Sequence, residues 1–184
     1  ALPICYEGKT IAEISKTLNV PPLEFVLDLL YEEDCKVSVI FFNMSEENLA
    51  RILKWDSVMI GSDSSLRSLE GVLNYGKPHP RGYGTFSRVI RKYVNETSIL
   101  SIEEAIYKMT GFPAQTLGLK DRGILKEGFF ADITIFDQET IAEQATFTSP
   151  HNYSTGIKHV LVNGKLTIND GKHESVTNGA ILKK

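Results

Sequence analysis

Cysteine is scarce in this chain: 184 residues hold only Cys5 and Cys35. The two stand in no metal-like spacing, and a disulfide-stapled domain of this size would carry more. Reduced thiols in a cytoplasmic setting are the expectation. Blocks of basic residues are absent and the formal net charge is −3, so a nucleic-acid partner, which calls for a basic face, is not expected. No apolar run reaches bilayer length, and a membrane span is excluded. Ala1-Leu2-Pro3-Ile4-Cys5-Tyr6-Glu7 has neither the basic start nor the apolar stretch of a secretion signal. An initiator Met is missing too, so the chain is expected to begin after processing, after tag removal, or inside a longer protein. Internal repeats and low-complexity segments do not occur. What is present, 42% hydrophobic and 23% charged residues, is globular composition. It fits one moderate domain, or a smaller domain plus part of another.

The first sixty residues alternate between helical and strand-like patterns. Thr10, with Glu13 three residues on, caps a helical spacing of Ile11, Ile14 and Leu18, which Pro21-Pro22 stops. Leu23, Val26, Leu27 and Leu30 resume the helical period, with Asp34 near its end. Val37 to Phe42 reads as a strand covered on both faces. Ser45 caps a short helix carrying Leu49, Ile52 and Leu53, with Glu46 and Glu47 in its first turn. Val58-Met59-Ile60 reads as a second apolar strand. Helix and strand alternating over short connections indicate parallel βα units, a sheet covered on both faces, and hence a slice of something larger.

From Ser64 to Tyr83 the periodicity stops and glycine and proline crowd the chain, the mark of a long functional loop. Helical spacing returns at Phe86, Val89, Ile90, Tyr93 and Val94, then after the capping box Ser101-Ile102-Glu103-Glu104. Gly111-Phe112-Pro113 breaks that helix, and Ala114 to Leu117 starts a short one. Beyond residues 123 to 128 the character becomes β. Ala131 to Phe136 and His159 to Val162 read as strands, and Asn163-Gly164 signals a hairpin returning through Leu166, Thr167 and Ile168.

Chemistry concentrates in two places. Asp63, within Gly61-Ser62-Asp63-Ser64-Ser65, follows the strand-like Val58-Met59-Ile60. An acid there lies at the mouth of a barrel of parallel strands, where active-site groups sit; it can equally pin a turn through its own backbone. Pro78-His79-Pro80-Arg81-Gly82-Tyr83-Gly84 is a stiff loop whose guanidinium suits a carboxylate, or else pairs with a surface acid. His151, His159 and His173 lack ligand spacing and read as solvated or core-satisfied imidazoles. No phosphate loop and no serine-nucleophile elbow is present.

Several stretches, in order, resemble one family. They are Val58-Met59-Ile60-Gly61-Ser62-Asp63, Pro78-His79-Pro80-Arg81-Gly82-Tyr83-Gly84-Thr85-Phe86, Lys108-Met109-Thr110-Gly111-Phe112-Pro113-Ala114 and Gly118-Leu119-Lys120-Asp121-Arg122-Gly123. Gly128-Phe129-Phe130-Ala131-Asp132-Ile133 and Val160-Leu161-Val162-Asn163-Gly164 complete the set. Together they resemble the N-acyl-D-amino-acid deacylase (D-aminoacylase) branch of the amidohydrolases, the second stretch pointing to that branch.

The resemblance implies an α/β fold: the C-terminal part of a metal-dependent-hydrolase (β/α)8 barrel plus a small β-sandwich segment. Residues 1–125 would be the last βα units and following helices, and residues 126–184 the C-terminal strands of the sandwich. It implies zinc, held mainly by upstream Cys and His ligands, and a small-molecule N-acyl-D-amino acid as substrate. Asp63 matches the aspartate that carries the proton from water to the leaving amine, and it is also a candidate zinc ligand. Arg81 matches the binder of the substrate carboxylate, with His79 and Tyr83 lining the same loop. The family's His-x-His pair and later histidine ligands have no counterparts in this sequence. The expectation is therefore an enzyme fragment, inactive alone, whose partner is the missing N-terminal part of the same protein. Two alternatives stay open: an amidohydrolase acting on cyclic amides or on dipeptides ending in D-residues or proline, and a non-catalytic binding or assembly module. The second conflicts with strands too few to hide their edges.

Overall fold

The computed structural model describes residues 6–182; Cys5 lies outside them. The chain forms two compact units, Ala1–Asn43 and Met44–Lys184. In the first, α1 (Ile11–Leu18) begins at the expected capping box. Thr10 accepts the Glu13 N–H through its hydroxyl at 3.2 Å and donates its own N–H to the Glu13 carboxylate at 2.7 Å. Asn19 ends it in left-handed backbone, and α2 (Pro22–Glu32) starts on a proline whose missing N–H no helix start requires. Ile14 and Phe25 are buried, and the Tyr6 ring meets Phe25 edge-on at 5.4 Å.

Neither expected parallel strand forms. The run 37–42 is no strand, and Val39 and Phe41 are exposed rather than covered on two faces. A strand is stabilised by neighbours bonded along its edges, and among the described residues no other strand lies beside this run. Residues 58–60 form no strand either, but their backbone is held differently. The Ile60 N–H donates to the Lys108 carbonyl at 3.1 Å. The Lys108 side chain, 5% exposed, donates to the carbonyls of Trp55 and of Val58, the latter at 3.2 Å.

Lys108 lies on α5 (Ile102–Met109), one of the helices around the core of the second unit. There α3 (Glu46–Leu53), capped by Ser45, brings Leu53 against Val89, Tyr93, Val94, Leu100 and Ala105. Residues 64–80 are irregular except for the single turn Gly71–Leu73. The next helix starts earlier than the apolar spacing predicts: α4 (Arg81–Arg88) runs directly into the π-helical Val89–Glu96. Ser101 and Glu104 form the capping box of α5. The following helix, α6, spans Gly111–Leu117 and so contains Phe112-Pro113 instead of starting after them. Proline in a first turn gives up no hydrogen bond the helix needs.

The β portion is an antiparallel meander of four strands in sequence order: β1 (Ile133–Phe136), β2 (Ile157–Val162), β3 (Lys165–Asn169) and β4 (Lys172–His173). Asn163 and Gly164, with φ of 52° and 75°, turn β2 into β3, as the dipeptide predicts. Asp170-Gly171 makes the same kind of turn before β4, a signal the apolar pattern had not singled out. Three stretches quoted for the family resemblance converge beside this sheet. The Arg122 guanidinium stacks over Phe130 at 4.2 Å, pairs with Asp132 and donates to the Asn163 side chain at 2.5 Å. The Asn163 N–H returns to Asp132 at 2.8 Å. These residues build a corner beside the sheet.

Lys108 generates the first test. Lys108→Met keeps the stem and removes the donors, leaving two carbonyls without their charged partner. The full-length protein should lose about 2–3 kcal/mol in urea denaturation; an unchanged midpoint would show that the Trp55 and Val58 carbonyls do not need this ammonium.

Candidate active site

Asp63 directly follows the segment that Lys108 holds. Its backbone is left-handed at φ 47°, a conformation aspartate tolerates better than most residues, and its side chain is 91% exposed. The carboxylate faces Arg81, with Oδ2 to Nη2 at 3.1 Å. The structure thus brings together the two residues that the sequence singled out from separate stretches.

Arg81 is the first residue of α4, and the two preceding residues set up that start. Pro80 is already in helical backbone, and the His79 Nδ1 accepts the Arg81 N–H at 3.1 Å. His79 is therefore a local cap of this helix start. Its ring packs edge-on against Phe147 at 5.0 Å. Burial, and after it the positive charge of Arg81, hold its pKa below the ordinary 6.5.

Glycines fit the helix against its surroundings. A Cβ on Gly84 would lie 2.6 Å from the Glu143 Cβ, and one on Gly82 would lie 2.8 Å from the Ser64 hydroxyl. Glu143 seats the helix electrostatically. It accepts from Arg88 at 3.1 Å and from Arg91 Nε at 2.7 Å, while Glu46 of α3 accepts from Arg88 at 2.7 Å, Lys92 at 2.8 Å and the Tyr93 hydroxyl at 2.8 Å. Burial pushes the Glu143 carboxyl up, but the hydrogen bonds from Arg91 and Arg88 outweigh it and leave the pKa below the ordinary value.

Tyr83, two residues on from Arg81, is tied to other segments. Its hydroxyl donates to the Ser68 carbonyl at 2.8 Å and lies 3.1 Å from the His151 Nδ1. The Tyr83 residue also borders a cavity of about 160 Å³, lined among others by Ser62, Arg81, Phe86, Ser154 and Ile157. An exposed carboxylate, a half-exposed guanidinium and a small cavity therefore share one rim. That arrangement suits binding a carboxylate-bearing molecule and moving a proton beside it.

Two residues beside Tyr83 and Gly82 were not legible as neighbours of this motif. His151, read as a solvated or core-satisfied imidazole, is hydrogen-bonded to Tyr83 and to the Gly76 carbonyl. Arg67 lies 4.4 Å above the Tyr75 ring, and its Nε and Nη1 are buried without a hydrogen-bond partner among the described residues. A lone arginine in an irregular stretch carries no sequence signal of this. The other expectation concerns metal. Asp63 offers one oxygen donor, yet no group of three or more His, Cys, Asp or Glu able to hold an ion occurs among the described residues. These residues do not make a zinc site by themselves. Nor is any described helix long and apolar enough to cross a membrane, and Cys35 is a free, exposed thiol.

The lowered pKa of His79 has a signed consequence. Between its folded value and 6.5 the unfolded chain binds more protons, so folding stability rises with pH there. The contribution is complete above pH 6.5 and is lost as pH falls through the folded value. His79→Asn, which can still accept the Arg81 N–H but does not titrate, should flatten this limb when unfolding free energies of the two proteins are compared across pH 5 to 7. Parallel profiles would remove the histidine as the cause.

Residues 56–168 match the amidohydrolase family. The N-acyl-D-glutamate deacylase of Alcaligenes xylosoxydans xylosoxydans is 43% identical over 157 residues, which is 85% of this chain and 30% of that protein. Among solved structures, a D-aminoacylase studied for its binuclear metal centre matches with a TM-score of 0.80 at 32% identity, over 96% of this chain and 35% of its own. The N-acyl-D-glutamate deacylase from Bordetella bronchiseptica, complexed with zinc and a phosphonate inhibitor, gives 0.75 at 33% identity over 94% and 35%. The chain spans about a third of the length of the relatives it matches. More than half of its residues fall within the matched region, and the chain belongs to the amidohydrolase family.

Proposed function

We propose that the full-length protein hydrolyses the amide of N-acyl-D-amino acids to a D-amino acid and a carboxylate. The observation that carries this is the pairing of Asp63 with Arg81 at the rim of the cavity. The relatives named above act on such substrates by their names, and their similarity extends over both residues. The proposed architecture is the end of a (β/α)8 barrel, residues 1–125, followed by strands of a small β-sandwich, residues 126–184. Zinc, if bound, would acidify a water; it would be held mainly by donors on polypeptide outside this chain, with Asp63 as at most one further oxygen. A cytoplasmic location, taken from the low cysteine content, belongs to the same proposal.

The roles of this chain's own residues follow from their chemistry. Arg81 binds the substrate α-carboxylate in a two-pronged pair. An exposed ion pair such as Asp63–Arg81 is worth less than about 1 kcal/mol, so a substrate carboxylate displaces Asp63 from the guanidinium at little cost. The released Asp63 carboxylate accepts a proton from the attacking water and returns it to the leaving amine. His79 keeps Arg81 at the first turn of α4, and Tyr83 forms part of the cavity wall.

Steady-state kinetics on the full-length protein test these roles. Asp63→Asn should lower kcat by about 10²-fold or more, the worth of a positioned acid–base group, with bound zinc close to normal; a rate near wild type would remove the proton-transfer role. Arg81→Ala should raise KM for N-acetyl-D-amino acids by about tenfold or more, one charge-assisted bidentate pair, and leave their methyl esters nearly unaffected. Equal losses on acid and ester would remove the carboxylate clamp.

A further inference from the structure

Between β1 and β2 the chain makes one long excursion, residues 142–155, and comes back to where it left. The Ala142 N–H donates to the Thr155 carbonyl at 3.3 Å, and the Thr155 N–H donates to the Ala142 carbonyl at 2.9 Å. Gly156, in left-handed backbone at φ 79°, lets the returning chain lie against Ile141; a Cβ there would stand 2.4 Å from the Ile141 Cα. Inside the excursion the Thr146 N–H donates to the Ser149 carbonyl at 3.0 Å, and the Ser149 N–H to the Thr146 hydroxyl at 2.9 Å. A loop with joined ends and internal bonds of its own keeps its shape, and such loops are frequently functional.

Side chains of this loop seat on the start of α4. Glu143 is partly buried, fills the space beside Gly84 and accepts from Arg88 at 3.1 Å. The Ser154 hydroxyl donates to the Tyr83 carbonyl at 3.1 Å and lies 2.6 Å from the Ser87 hydroxyl. The Phe147 ring meets that of His79, the residue whose Nδ1 accepts the Arg81 N–H. The contacts thus fall on both sides of Arg81 in sequence.

The helix start has little of its own to hold it. Gly82 and Gly84 weaken a helix, and the Asp63–Arg81 pair is an exposed one of small worth. What α4 packs against therefore sets the place of the guanidinium. A bidentate fork has one good approach to a carboxylate, so a shifted helix start is felt as lost binding.

We propose that residues 142–155 are a positioning loop for Arg81: through Glu143, Phe147 and Ser154 they fix the first turns of α4, and with them the point where the guanidinium meets a substrate carboxylate. The effect on substrate rests on the deacylase function proposed above; the effect on α4 does not. The β portion then shapes substrate binding without giving a group to the reaction. A substrate lacking the carboxylate does not use the guanidinium and is indifferent to the loop.

Glu143→Gln and Phe147→Ala in the full-length protein test this. The first removes the charge that Arg88 and Arg91 bind, and the second removes the ring beside His79. For N-acetyl-D-amino acids each should raise KM by about fivefold, the worth of one such contact. Turnover should stay within about twofold, and methyl esters should be hydrolysed as by the wild type. In an Arg81→Ala background neither change should raise KM further, because the loop acts through the group already lost. Amide hydrogen exchange over residues 82–84, whose N–H groups donate to the His79 and Pro80 carbonyls, should quicken by about fivefold. Exchange in α5 should stay as in the wild type. Equal losses on acids and esters, or an added loss in the Arg81→Ala background, would overturn the proposal. So would unchanged exchange over residues 82–84, or a quickening that reaches α5 equally. If Glu143→Gln does not fold, Phe147→Ala carries every comparison. Turnover of no N-acyl-D-amino acid at all would remove the deacylase function, while the exchange measurements would still decide the loop.

Discussion

A backbone that enters no sheet must still satisfy its carbonyls and N–H groups, and in this chain Lys108 answers that demand for the segment leading to Asp63. Its buried ammonium takes the carbonyls of Trp55 and Val58, and its own carbonyl takes the Ile60 N–H. Paired backbone is close to obligatory when buried. The consequence is positional: with 55–60 laid on α5, and α5 packed through Ala105 on Tyr93 and Val94, Asp63 emerges where the first turn of α4 can meet it.

The same helix is held from its other side by charge. Glu143 and Glu46 share Arg88, and Arg91 and Lys92 complete the set. A partly buried carboxylate bonded by two guanidiniums fixes direction as well as attraction, since each fork has one good approach. Gly84 permits this closeness, because a methyl group there would occupy the space of the Glu143 side chain. What reads in the sequence as one short motif is thus three functions in the fold. His79 and Pro80 start the helix, Arg81 and Tyr83 face the cavity, and Gly82 and Gly84 let neighbours approach.

Much of the local structure was legible because its causes are local. Capping boxes at Thr10 and Ser101, the cap at Ser45 and the Asn163-Gly164 turn each depend on residues three or fewer apart. The strands at 37–42 and 58–60 failed for the complementary reason. An apolar run specifies that it should be covered, but pairing requires an edge supplied by another segment. The early start of α4 was hidden in the same way, since its first turn has a polar, glycine-rich sequence and takes its order from His79, Glu143 and Ser154.

By itself the sequence determined the capped starts of α1, α3 and α5, the hairpin and the change from helical to β character near residue 125, and it singled out Asp63 and Arg81 as the residues with chemistry to offer. The tertiary structure alone decided that these two form a pair and that His79 caps the start of α4. It also decided that Tyr83 turns to His151 and a distant carbonyl. The physical reason is range. Caps and turns are settled within a few residues, whereas which donor reaches which acceptor across 68 positions, as between Tyr83 and His151, is settled only when helix α4 and the 151–155 segment pack together.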